Sequence, residues 1–221
     1  MAIVLKPPGL MFLLLFVRRR HARAFAVLLI ASAALWLLVL LRYGPSGTVA
    51  LVHEWSALVE RTTAPWVLGY NPQGLPTVLL APFFPVDAIP APAILTLAQL
   101  SAVALFVGAI ALLRPRAPGL QALFILGVAL LSPHAWRANF VLALPAVLLA
   151  VSSRERVGWL LLAAIGLVGA VVQAGLLGEP LFRRVMTFRP FALAFIALAA
   201  WILWTQRGPR RTGAAEMNSG T

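Results

Sequence analysis

AFAVLLIASAALWLLVLL, residues 24–41, contains one polar side chain, Ser32. At 1.5 Å per residue a helix over this stretch reaches about 27 Å, close to the ~30 Å hydrocarbon core of a bilayer. Two more stretches read the same way. AILTLAQLSAVALFVGAIALL at 93–113 has Thr96, Gln99 and Ser101 as its polar residues, and VGWLLLAAIGLVGAVVQAGLL at 157–177 has Gln173. Shorter apolar runs occupy 9–17, 119–133, 138–151 and 191–204. These runs predict an all-α polytopic membrane protein with about seven membrane segments, some of them short or re-entrant.

Composition agrees. Of 221 residues, 62% are apolar and only 11% are charged, where a soluble domain carries about 25% charged residues. So few charges cannot solvate the surface of a soluble protein, and disorder requires low hydrophobicity, so both classes are excluded. The net charge of +12 is concentrated in linkers: RRRHAR at 18–23, RPR at 114–116, SSRER at 152–156 and QRGPRR at 206–211. Placing these four on one side gathers eleven of the 18 Lys and Arg residues there, against seven opposite. The positive-inside rule then puts them, and the C-terminus, in the cytoplasm. Arg183-Arg184 with Arg189 on the outer side weakens the bias. The placement assigns the basic excess to topology and anionic membrane lipid, with no nucleic-acid partner. Cysteine is absent, which removes disulfides, thiolate metal sites and thiol nucleophiles.

The organisation predicted is a transmembrane helical domain over 1–206, with one long external loop at 42–92, and a disordered cytoplasmic tail at 207–221. Prolines 82, 85, 90 and 92 break the loop, and Tyr43, Trp55, Trp66 and Tyr70 suit a membrane interface. Short amphipathic helices fit 48–61 and 74–81. MAIVL before Lys6-Pro7-Pro8 reads as the last turn of a helix that begins upstream.

Polar groups at bilayer depth invite a functional reading. The richest stretch is Ser132-Pro133-His134-Ala135-Trp136-Arg137-Ala138-Asn139. It joins two runs that reach only about 21–23 Å each, which sets the turn at or below the headgroups. Irregular backbone there must be buried in protein or line a wet cavity. One reading points His134, Arg137 and Asn139 into that cavity, with Arg137 as a bidentate phosphate ligand. The other is a tight interfacial turn with Trp136 as anchor and Arg137 snorkelling. Lys6 stands level with this turn and is either a second phosphate contact or another snorkelling cation. His53 and Glu54 are neighbours in the loop, about 100° apart if helical, and do not converge. Asp87, the one Asp in the chain, either orients an acceptor hydroxyl or is a solvated loop residue. Gln99 and Gln173 are expected to hydrogen-bond between helices, and Gly166 with Ala170 to mark close helix packing. Three histidines without an HExxH element give no metal site, and no P-loop, GxSxG or GxGxxG element calls for a cofactor.

KPPGLMFLLLFVRRRHARA at 6–24 resembles the Lys-Pro, apolar run, Arg-Arg-Arg segment of bacterial polyprenyl-phosphate-dependent mannosyltransferases, glycosyltransferase family 87 (DUF2029). LLSPHAWRANFVLALPAVLLA at 130–150 resembles that family's Ser-Pro-x-x-Trp turn and the Leu-Pro helix after it, and Asn71-Pro72-Gln73-Gly74-Leu75 is a distant echo of its Asn-Gln-Ser-Leu element. Order and spacing agree, and the match covers the C-terminal half of the family. The resemblance implies a GT-C helical bundle in the plasma (inner) membrane. Such an enzyme transfers a hexose from a polyprenyl-phosphate-sugar donor to an extracytoplasmic lipid or glycan acceptor. It implies donor phosphate binding by Lys6, His134 and Arg137. Trp136, Asn71 and Gln73 would shape the acceptor side, where the external-loop residues His53, Glu54 and Asp87 also lie. The family's catalytic carboxylate lies in an early external loop, which would precede Met1, so the resemblance maps no catalytic residue onto this sequence. The alternative is a non-catalytic integral membrane protein, either a transporter segment or a lipid-binding assembly subunit. Against a transporter, no inverted repeat and no mid-helix ionisable residue is present.

Overall fold

A computed structural model describes residues 22–63 and 66–208. The described residues are mostly helical, with an isolated β-bridge between Pro115 and Arg207 and no strand among them. In chain order the helices are α1 (Ala22–Thr63), α2 (Leu75–Leu80), α3 (Pro92–Leu113), α4 (Ala117–Leu130), a 3-10 helix (Arg137–Ala143), α5 (Leu144–Ser153), α6 (Arg156–Val171), α7 (Ala174–Leu177), α8 (Glu179–Thr187) and α9 (Pro190–Thr205). Among the described residues, three helical stretches are long and apolar enough to cross a membrane: Leu29–Leu58, Pro92–Leu113 and Glu179–Thr205. By length and composition these are the helices of a membrane-spanning chain.

Proline organises the starts. Pro76, Pro92, Pro118, Pro145, Pro180 and Pro190 each occupy the first or second position of a helix. There the missing N–H has no intrahelical partner to lose and the fixed φ is already helical. The same rule corrects the expected 42–92 loop. Gly44 takes φ 68°, which kinks the chain, and Pro45 opens a second helical stretch that runs on to Thr63. Thr48 Oγ1 donates to the Gly44 carbonyl at 2.7 Å and closes the kink. Among the described residues of this stretch only 66–74 and 81–91 remain irregular, and the helices expected at 48–61 and 74–81 fall within α1 and at α2.

The run 138–151 also divides. Pro145 cannot donate, and its ring crowds the carbonyl four residues back, so the chain stays 3-10 over Arg137–Ala143 and becomes α-helical from Leu144. α9 forms the axis of the bundle and packs on α3, α4, α5 and α6. Leu123, Leu126, Leu130, Leu131, Met186, Leu198 and Ile202 are fully buried around it. The apolar window of α1 contributes no buried residue.

The bundle has two distinct ends. At one, Arg116 N–H donates to Gln206 O at 2.6 Å, Gly208 N–H donates to Arg114 O at 3.1 Å, and a Cβ at Gly158 would meet Trp201 and the Ala150 carbonyl. This end carries Arg114, Arg116, Arg154, Arg156 and Arg207. Arg207 and Gly208, expected to begin the disordered tail, are therefore tied down, and 209–221 lie outside the described residues. At the other end the 66–74 segment, the 132–136 turn and the α8–α9 junction meet. Gly166, expected at a close helix contact, has open space where a Cβ would stand, and Ala170 is exposed. The close approach is at Gly74, where a Cβ would overlap the Ser132 carbonyl oxygen.

Candidate functional site

The 66–74 segment is docked by backbone and by two buried side chains. Gln73 N–H donates to Ala135 O at 2.8 Å, which joins the Asn-Pro-Gln-Gly segment to the Ser-Pro-His-Ala-Trp turn. The Gln73 side chain is fully buried, and its Nε2 donates to Tyr70 O and to Met186 O, both at 3.1 Å. The turn itself is short and self-closed. Ala135 N–H reaches Ser132 O at 3.2 Å, Trp136 N–H reaches His134 O at 2.9 Å, and Asn139 Nδ2 reaches His134 O at 3.0 Å.

Arg189 holds the same segment from below. It is 3% exposed and sits at φ 55° as the residue before Pro190, which begins α9. Its guanidinium donates to Leu68 O at 2.9 Å, to Pro72 O at 3.0 Å and to Gly69 O. A non-glycine residue in the left-handed region costs on the order of 1–2 kcal/mol, which three charge-assisted hydrogen bonds offset. From sequence alone Arg189 has no role beyond its outer-side charge; the one available signal is a lone Arg-Pro step at the head of an apolar run.

Above this floor lies a cavity of about 540 Å³, lined by Trp66, Gly69, Tyr70, Asn71, Pro72, Asp87, His134 and Trp136. That volume falls in the range of small-molecule sites. Trp66 and Trp136, which line it, are 65% and 53% exposed. Asp87, at φ 63°, stands beside Gly69, with its N–H on Leu68 O at 3.4 Å. Half-burial of His134 pushes its pKa below 6.5, so at neutral pH the imidazole is uncharged and offers one donor and one acceptor. Flat apolar faces beside a carboxylate, an amide and an imidazole suit a ring that is apolar on its faces and polar at its edges. A second groove, of about 450 Å³, lies on the other side of Leu68 between α2, the proline-rich 81–86 segment and Phe188.

Asn71, Asp87, His134 and Trp136 are thus brought together. Gln73 lies beneath them as a buried brace. Arg137 does not line the cavity. Its Nη1 donates to Val172 O at 3.0 Å, capping the end of α6, and its guanidinium lies 5.2 Å from the Phe182 ring centre and 5.9 Å from that of Phe191. His53 and Glu54 are exposed on α1 and do not line it either. Lys6 lies outside the described residues. Gln99 does bond between helices, its Nε2 donating to Leu131 O at 2.7 Å, whereas Gln173 Nε2 turns back to Gly169 O, one helical turn earlier. Among the described residues no cluster of three His, Cys, Asp or Glu side chains is placed to hold a metal. No protein-family model, curated protein or solved structure matches the chain.

Proposed function

We propose that this cavity is the sugar basin of a polyprenyl-phosphate-dependent membrane hexosyltransferase, mannosyltransferase-like and of GT-C architecture. The observation that carries the reading is the Gln73–Ala135 hydrogen bond. The two segments that resemble glycosyltransferase family 87, Asn71–Leu75 and Ser132–Trp136, are far apart in sequence yet wall one aromatic cavity. In this reading the cavity end faces out of the cell and the arginine-rich end lies in the cytoplasm with the C-terminus. The seven segments expected from the sequence complete the bundle in the plasma membrane.

The reaction is a displacement at the anomeric carbon. The acceptor oxygen forms its bond to that carbon as the bond to the phosphate oxygen breaks, and the lipid phosphate leaves with the electron pair. Trp66 and Trp136 hold the hexose faces. Neutral His134 and Asn71 hydrogen-bond its hydroxyls. Asp87 orients the acceptor hydroxyl, whose proton passes to the carboxylate base that the resemblance sets in the family's early external loop. The test is mannose transfer in membranes from cells expressing the full gene product, with radiolabelled polyprenyl-phosphate mannose as donor. Trp136→Ala and Asp87→Asn should each lower transfer about tenfold or more at unchanged protein level. Transfer equal to wild type in both variants would overturn the reading.

A further inference from the structure

Four arginines packed on or near the cavity walls differ in what their guanidiniums already do. Arg189 is buried and spans three carbonyls. Arg137 caps Val172 and lies against two phenylalanine rings. Arg183 and Arg184 lie on the exposed face of α8, whose Phe182 and Met186 are buried. Of these two, Arg183 stands over the Tyr70 ring, 5.1 Å from its centre, and Tyr70 is a wall of the cavity. Its Nε donates to Glu179 Oε1 at 2.6 Å, and its two terminal nitrogens make no hydrogen bond among the described residues.

A ladder of rings fixes this position. Arg183 rests on Tyr70, Tyr70 meets Phe182 edge to face at 6.0 Å, and Phe182 lies under Arg137. The Glu179 contact holds Arg183 by its Nε and leaves the bidentate edge of the guanidinium open. That planar edge matches two oxygens of a phosphate. The ion pair with Glu179 is exposed and therefore weakly held, so an incoming anion competes with it at little cost.

We infer that Arg183, set on the Tyr70 wall of the cavity, is the contact for a phosphate ester whose organic group enters the cavity. This rests on the reading of the cavity as a basin for a phosphate-linked sugar, and it moves the phosphate contact from Arg137, which the ring ladder employs, to Arg183, which that ladder presents. Among the described residues that line the cavity, Asp87 is the one carboxylate, and Arg183 adds positive charge at the Tyr70 wall. The phosphate belongs either to a membrane lipid or to a soluble ester.

The test uses the full chain in phosphatidylcholine nanodiscs, with tryptophan fluorescence as the readout and three probes: decaprenyl phosphate, inorganic phosphate and octyl β-mannoside. Arg183→Gln should weaken decaprenyl phosphate binding about tenfold, Arg183→Lys should fall between it and wild type, and Arg184→Gln should match wild type. Saturable, Arg183-dependent binding of inorganic phosphate alone would assign the site to soluble esters; binding of decaprenyl phosphate alone would assign it to lipid. Either supports the site. Binding of neither phosphate, equal affinity of Arg183→Gln and wild type for the phosphate that binds, or equal losses in Arg183→Gln and Arg184→Gln, would overturn it. The mannoside arm separates the two readings. A Trp136→Ala-sensitive mannoside signal with no Arg183 effect removes the phosphate contact and leaves the sugar basin. An Arg183-dependent phosphate signal with no mannoside response does the reverse.

Discussion

Gln73 donates its backbone N–H to Ala135 O at 2.8 Å, and the residue after it, Gly74, passes so close to the Ser132 carbonyl that only a hydrogen fits. The cavity exists because these two backbones touch. Gly74→Ala should therefore lower the thermal unfolding midpoint in detergent, by the equivalent of about 1–3 kcal/mol for an overpacked site. Gly166→Ala, with open space at its Cβ, should leave the midpoint unchanged or raise it.

Arg189 is the next support of the same segment. Replacing it with Met leaves the carbonyls of Leu68, Gly69 and Pro72 without their buried donor. The expected loss is roughly 3 kcal/mol, read as a lower unfolding midpoint. Lys, a point charge on a flexible stem, should recover only part of it.

Arg137→Ala should act mainly on stability. It removes one charge-assisted hydrogen bond to Val172 O and the contacts with Phe182 and Phe191, together worth about 2 kcal/mol. The midpoint should fall, while donor affinity measured well below that midpoint should stay within about twofold of wild type. A large affinity loss at unchanged stability would place Arg137 in the site.

His134 gives a pH signature. Burial lowers its pKa in the fold below the 6.5 of the exposed imidazole, so between the two values the unfolded chain binds more protons than the folded one. The stability from burying neutral His134 is complete above pH 6.5 and is lost as pH falls below it. Unfolding midpoints from pH 8 to pH 5 should decline more steeply in wild type than in His134→Gln. Parallel declines would show that His134 does not titrate differently in the fold.

Much of this was legible in the sequence because hydrophobic runs and turn residues act locally. Runs 93–113 and 191–204 are α3 and α9 to within a residue, and the 132–136 turn stands where Pro133 broke the pattern. Prolines misled where they begin helices: the density at 42–92 read as loop, yet Pro45 and Pro76 start helical stretches. The roles of Arg137 and Arg189 were not legible, since both follow from carbonyls of segments distant in sequence. Gly166 shows the converse, a local motif that meets no neighbouring helix among the described residues.

The most direct test of the sugar basin is photolabelling. Polyprenyl-phosphate mannose carrying a diazirine on the sugar is irradiated with the full chain in nanodiscs, and the adducts are mapped by mass spectrometry. Adducts on peptides containing Trp66–Pro72 and His134–Trp136, suppressed by excess unlabelled donor and reduced in Trp136→Ala, are the expected result. Adducts confined to other segments, or undiminished by competitor, would contradict it.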